Sequence, residues 1–180
     1  MTDVLRLTLV SHAMTDAMAA ARFPADEPLN DIGRRQAARL EIKSVARQLA
    51  GPEQRARQTA ELLGLHAITE PKLADLDCGR WRGETLHSVP PADLEVWLTD
   101  PGRAPHGGES IIDLVERVAG WLKSLTDNAL PVFAVTHPAV IRAAILVALD
   151  ASPKSFWRID IEPLSRTVLH WRRAAWTIRM

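Results

Sequence analysis

Apolar positions along this chain follow two patterns, short β-rich runs and longer stretches with helical spacing. Val4 to Val10, Val-Leu-Arg-Leu-Thr-Leu-Val, is a β-rich run that stops at Ser11-His12, so it predicts a central strand delivering a histidine at its C-terminal end. Pro131 to Thr136 predicts a second apolar strand, and it stops at His137. Asn30-Asp31 are good cap types, and Ile32, Ala37, Leu40 and Ile42 carry a loosely helical pattern as far as Val45. Gly51-Pro52 opens a further helix through Leu63, with Pro in a tolerated first-turn position and Gly64 as its C-cap. Between these two, Ser44 to Ala50 reads equally as helix end or strand.

Ile68-Thr69 predicts a short strand, and Asp75 to Gly83 a loop punctuated by glycine. Pro90-Pro91 to Asp100-Pro101-Gly102 reads as an excursion around one short helix, of a length that usually lies over a site. From Glu109-Ser110 to about Leu125 a helix presents Ile111, Leu114, Val118 and Leu122 on one face. Pro138 to Leu149 is another helix, and Ile159 to Ile178 holds alternating, strand-like stretches around Pro163 and Ala174-Ala175. Strands alternating with helices predict an α/β domain, a three-layer sandwich with a largely parallel central sheet and helices on both faces. Its two strand-end histidines should then meet at one sheet edge, where such folds place their chemistry.

Composition narrows the function classes. In 180 residues, Lys plus Arg (22) balance Asp plus Glu (22), which argues against a general nucleic-acid binder. With 47% hydrophobic and 24% charged residues there is enough apolar material for one core, so residues 1–180 are expected to form a single domain. A lone cysteine, Cys78, makes no internal disulfide and no signal-peptide pattern opens the chain, so a cytoplasmic location is expected. The most apolar segment, Val132 to Leu149, is interrupted by His137, Pro138 and Arg142, which argues against a membrane span.

Several catalytic patterns fail on inspection. Asp75-Leu-Asp77 lacks the Thr or Val that follows the paired aspartates of magnesium-dependent phosphatases, and Cys78 lacks an arginine six residues on, where Glu84 stands. No Gly-rich Lys-Ser/Thr phosphate loop and no His-Glu-x-x-His pair occurs.

Six blocks do fit a pattern, in order: Ser11-His12-Ala13-Met14-Thr15; Leu29 to Ala37; Gly51-Pro52-Glu53-Gln54-Arg55-Ala56-Arg57-Gln58-Thr59-Ala60; Leu73 to Gly83 around Trp81; Gly108-Glu109-Ser110; and His137-Pro138-Ala139-Val140-Ile141-Arg142. On these blocks the chain resembles the histidine phosphatase superfamily, the group of phosphoglycerate mutases and many small phosphatases. That resemblance implies a phosphoglycerate mutase-like fold and a phosphomonoester hydrolase needing no metal or other cofactor. It implies His12 as the phosphorylated nucleophile, Arg55 as a clamp on the phosphoryl oxygens, His137 as a donor to the same group, and Asp75 as general acid and base, one methylene shorter than the family's glutamate.

The first block departs from the family. Ser11 stands in place of the family's phosphate-binding arginine, Ala13 and Pro138 in place of glycines, and Met18 where asparagine is often found. Ser11, Ala13, Thr15 and Pro138 are nonetheless expected to border the substrate. Arg82, in place of a family glutamate, is the expected source of a replacement positive charge, with Arg34, Arg80 and Arg142 further surplus arginines. His106 lies beside a family block and is a candidate pocket residue, as is Trp97 for an apolar part of a substrate. The expected partner is a small phosphorylated molecule. The competing reading is a catalytically inactive phospho-ligand-binding or regulatory protein on the same scaffold.

Overall fold

A computed structural model describes residues 4–44 and 46–179. One six-stranded sheet runs in the order β3-β2-β4-β1-β5-β6, formed by β1 (Leu5–Ser11), β2 (Arg47–Ala50), β3 (Ile68–Thr69), β4 (Val132–Thr136), β5 (Arg166–Arg172) and β6 (Ala175–Arg179). The β3-β2-β4-β1 part is parallel, and β5 and β6 continue it as an antiparallel hairpin. The sheet is therefore mixed, with the expected parallel character in its β3-β2-β4-β1 part.

Strand alternation makes two cores from one sheet. Leu7, Leu9, Leu49, Val132 and Ala134 face one layer, and Val10, Ala50, Phe133 and Val135 face the other. On the first side lie α5 (Ile111–Leu125) and α6 (Pro138–Ala148). A capping box between Ser110 and Asp113 starts α5, which buries Ile111, Leu114, Val118 and Leu122, the face its periodicity predicts, together with Trp121 and Leu125. Sandwiched between α5 and the sheet, α6 is apolar nearly all round, as a helix with two packed faces must be. The second side is covered by α3 (Gln54–Leu62), which packs on β2 and β4 and carries α2 (Asp31–Ala38) against it.

Several expectations need correction. α2 stops at Ala38 instead of running on to Val45, which lies outside the described residues. Its contact with the body is made by Gly33 and Ala37 while Ile32 and Leu40 stay exposed; a Cβ on Gly33 would come within 2.3 Å of the Met14 carbonyl oxygen. This helix seats through small residues, so its larger apolar positions bury little. The ambiguous segment before Gly51 becomes β2. α3 begins at Gln54, leaving Pro52 outside it, and its N-cap Glu53 makes no capping hydrogen bond because its carboxylate is engaged elsewhere. A short α1 (Asp16–Ala19), capped by Thr15, follows the first histidine, where the pattern predicts no element. The excursion holds α4 (Pro91–Thr99), the expected short helix. Among the described residues no helix is long and apolar enough to cross a membrane.

Candidate active site

Because β1 and β4 pair in parallel with Ser11 opposite Thr136, the residues just beyond them, His12 and His137, leave the sheet side by side. The His12 amide donates to the Thr136 carbonyl at 2.9 Å, and the two imidazoles meet edge to face with centroids 5.2 Å apart. Both rings are buried. His12 Nδ1 lies 2.7 Å from the Ala13 carbonyl, so it is the protonated nitrogen; this leaves Nε2 as the nitrogen with a lone pair. Burial pushes the His12 pKa down to about 3, helped by the neighbouring charges of His137 and Arg55, so the ring is neutral across the physiological range.

Arg55 enters from the first turn of α3 and is 1% exposed. Its Nη1 donates to the Ala25 carbonyl at 2.6 Å and its Nη2 to Asp75 Oδ2 at 2.5 Å, while Nε has no partner among the described residues. Asp75 follows a 3-10 turn at Pro71–Leu73, and its Oδ2 also lies 3.5 Å from Nδ1 of His137. Burial pushes the Asp75 carboxyl up, but the charges of His137 and Arg55 and the hydrogen bond from Arg55 outweigh it and hold the group at about 2. One carboxylate oxygen thus sits between a guanidinium and an imidazole.

The loop bearing Asp75 is tied down from α5. Arg117 donates to the carbonyls of Lys72 and Ala74 at 2.8 and 3.0 Å, and is itself held by Glu109 at 2.8 and 2.9 Å. The Gly108-Glu109-Ser110 block therefore acts at a distance, by fixing the arginine that shapes the loop. On the other side Thr59 Oγ1 accepts from the Ala13 amide at 3.0 Å and donates to the Arg55 carbonyl at 2.7 Å, locking α3 to the turn after His12.

Glu53 is the residue that motif reading misses. Its Oε2 lies 2.6 Å from Nε2 of His137, 84 positions away in sequence, and its Oε1 accepts from the Asp75 amide at 2.9 Å. Burial pushes its carboxyl up, yet the hydrogen bond and charge of His137 bring it below its ordinary value. Room for the pair comes from Gly51, where a Cβ would stand 3.0 Å from His137 Nε2 and 2.8 Å from the Leu73 carbonyl oxygen. A glutamate two places before Arg55 in a strand-to-helix turn was the available signal.

A cavity of about 320 Å³ opens above this floor. His12, Arg55, Asp75 and Pro138 line it, with a wall from Met18, Phe23, Leu86, Trp97, Phe156 and Trp157. Trp97 is thus where an apolar contact was expected. The structure brings the other expected border residues elsewhere. Ser11 is fully buried on the Leu9 side of β1 with its Oγ unpartnered among the described residues, Ala13 is buried against Thr59, and the Thr15 hydroxyl caps α1. Arg82 is exposed and borders a second depression that shares Arg55 and Asp75 with the main cavity. His106 lies outside the cavity lining, packed against Trp81 and Trp97 with its Nδ1 accepting from the Gly108 amide.

Residues 7–180 match the histidine phosphatase superfamily (branch 1). The chain belongs to that superfamily. Among its relatives, phosphoserine phosphatase 1 of Hydrogenobacter thermophilus is 27% identical over 93% of this chain and 87% of its own length. Glucosyl-3-phosphoglycerate phosphatase of Mycolicibacterium vanbaalenii is 27% identical over 96% and 94%. The chain spans 49% of the length of a bifunctional protein of Mycobacterium tuberculosis to which it is 28% identical. Among solved structures, mycobacterial glucosyl-3-phosphoglycerate phosphatase in complex with VO3 superposes with a TM-score of 0.83 at 25% identity, covering 97% of each chain. As a histidine phosphatase superfamily member, the chain has the phosphoglycerate mutase-like α/β fold.

Proposed function

We propose that this chain is a phosphomonoester hydrolase working through a phosphohistidine on His12. The observation that carries the reading is the state of His12. With Nδ1 bonded to the Ala13 carbonyl and the ring neutral, Nε2 has no partner among the described residues, and His12 lines the cavity together with Arg55. Its lone pair attacks phosphorus, the ester P–O bond breaks, and the electron pair leaves on the alcohol oxygen. Positive charge gained by the ring is dispersed into the Nδ1–H bond to Ala13. Arg55 holds the equatorial oxygens through the transition state, with Nδ1 of His137 beside them.

Asp75 supplies the proton. At rest it is ionised against Arg55; a phosphoryl dianion that takes over Arg55 removes the stabilising partner and adds a like charge, so the carboxyl binds the proton that the leaving alcohol then receives. In the second step Asp75 takes a proton from water, the water oxygen attacks phosphorus, and the P–N bond breaks back onto His12. Relatives that are phosphatases support this reading.

A second reading keeps the scaffold as a phospho-ligand binder without turnover, and Ser11 is what favours it. The charged hydrogen bonds of an arginine at that position are each worth about 1.5–3 kcal/mol, and their loss slows a transition state by orders of magnitude. Incubation with p-nitrophenyl phosphate, followed by alkaline quenching, separates the two. Turnover that vanishes in His12→Ala, with an acid-labile and alkali-stable phosphoryl group on the wild type, is expected of the enzyme. Stabilisation by phosphate with no turnover supports the binder, and turnover surviving in His12→Ala overturns the role of His12.

A further inference from the structure

The cavity contains a guanidinium that the phosphate chemistry leaves unused. Arg142 projects from α6 and lines the same cavity as His12 and Arg55. Its Nε donates to the Ile159 carbonyl at 2.7 Å, and its guanidinium carbon lies 5.6 Å from the centre of the Phe156 ring and 5.9 Å from that of Trp157. The side chain is therefore held at its root and flanked by two aromatic rings. Among the described residues no carboxylate comes within 4.0 Å of it, and Nη1 and Nη2 have no protein acceptor. Burial pushes its pKa down, with Asp160 and Asp75 only partly offsetting the loss of water.

Such a group differs from the third arginine at the cavity. Arg22 is exposed and spends Nη1 on the Gly83 carbonyl. Arg142 instead is half-buried, oriented and unpaired, a combination costly to keep unless an anion completes it. The rest of the cavity that holds both Arg142 and His12 is mostly apolar, with Phe23, Trp97 and Trp157 as its aromatic part. An occupant that satisfies both needs an anionic head on an apolar body.

We propose that Arg142 is an anion subsite for the alcohol half of the substrate, selecting phosphomonoesters whose flat, apolar or aromatic body ends in a carboxylate. The inference rests on the reading above, in that it places the phosphoryl group at His12 and Arg55. A planar guanidinium anchored through Nε presents its two Nη groups in a fork, which suits a two-oxygen carboxylate better than a single neutral acceptor.

The test is binding of two non-hydrolysable analogues, 4-carboxybenzylphosphonate and 4-methylbenzylphosphonate, followed by calorimetry with the full chain. In the wild type the carboxylated compound is expected to bind about 10- to 100-fold tighter. In Arg142→Met and Arg142→Gln, each checked for folding by circular dichroism, that ratio is expected to fall to within about threefold. Equal binding of both compounds by the wild type, or a ratio that persists in both variants, overturns the subsite and leaves the phosphate reading standing. Binding of neither compound overturns both. The wild-type comparison needs no variant, so a variant that fails to fold does not rescue the idea.

Discussion

The floor of the cavity and its wall are built by opposite means. His12, Arg55, His137 and Glu53 come from strand ends and a helix start and Asp75 from a pinned loop, and each is bonded to at least one other group of the structure at 2.5–2.9 Å. Phe23, Trp157 and Leu86 come from loops and 3-10 turns and touch the cavity through apolar surface alone. Charged groups in a low-dielectric floor fix one another's position and protonation, whereas an apolar wall fixes only shape. The floor should then govern rate and acid sensitivity, and the wall should govern which alcohol is accepted.

The sharpest way to break this division is to unpair the floor. Arg55→Leu leaves Asp75 as a partly buried carboxylate without its cation, and it is expected to cost about 3–5 kcal/mol in urea unfolding as well as at least 1000-fold in kcat/KM. Arg55→Leu combined with Asp75→Asn should recover much of the stability and none of the activity. Recovery of neither would mean that Arg55 acts through packing.

Acid tests the same floor without mutation. Below pH 6.5 the unfolded chain binds a proton at His12 that the folded chain, with a pKa of about 3 there, refuses, so stability falls as pH drops from about 6.5 toward 3. The slope reaches about 1.4 kcal/mol per pH unit. Asp75, held at about 2, adds to the loss only below its unfolded value of 3.8. Urea midpoints at pH 7, 5.5 and 4.5 should therefore decline in the wild type and much less in His12→Asn; parallel declines would exclude His12 as the source.

Glu53 sharpens the comparison further, because it belongs to the floor without lining the cavity. Glu53→Leu is expected to lower kcat about 10- to 100-fold with KM changed less than threefold, and Glu53→Gln, which keeps an acceptor for His137 Nε2, should regain part of it. Equal losses in both would show that the charge matters more than the orientation. On the wall, Trp157→Ala is expected to change the ratio of kcat/KM for aromatic over aliphatic esters by up to about tenfold while stability moves by less than about 1 kcal/mol, since Trp157 is 38% exposed. The smallest effect is reserved for Ser11→Ala. Its hydroxyl is buried and unpartnered away from the cavity, so removing it should leave kcat/KM within twofold and stability unchanged or raised.

What could be read from the chain follows the same line. β4 was legible because every residue of it is buried and β1 because all but Arg6 are, which gives both a dense apolar, β-branched signature, and the histidines at their ends fall together once the strands pair. α5 was legible because one stripe faces the core. α2 was not, since its contact is made by the small residues Gly33 and Ala37, while the bulkier Ile32 and, just beyond its end, Leu40 are exposed. Arg55 and Asp75 stood out by motif. Glu53 did not, because its role is a contact with a residue 84 positions on, which no local spacing encodes. Nor did spacing tell Arg142 from Arg82: one lines the main cavity and the other only a neighbouring depression.

The Asp75 oxygen lodged between Arg55 and His137 makes the protein its own ligand. A tethered carboxylate competes at an effective concentration of roughly millimolar or more, so any free oxyanion has to evict it and is evicted in turn when the side chain returns. Inorganic phosphate left behind after a turnover would thus meet a built-in rival, and the protein would trade tight capture for ready emptying.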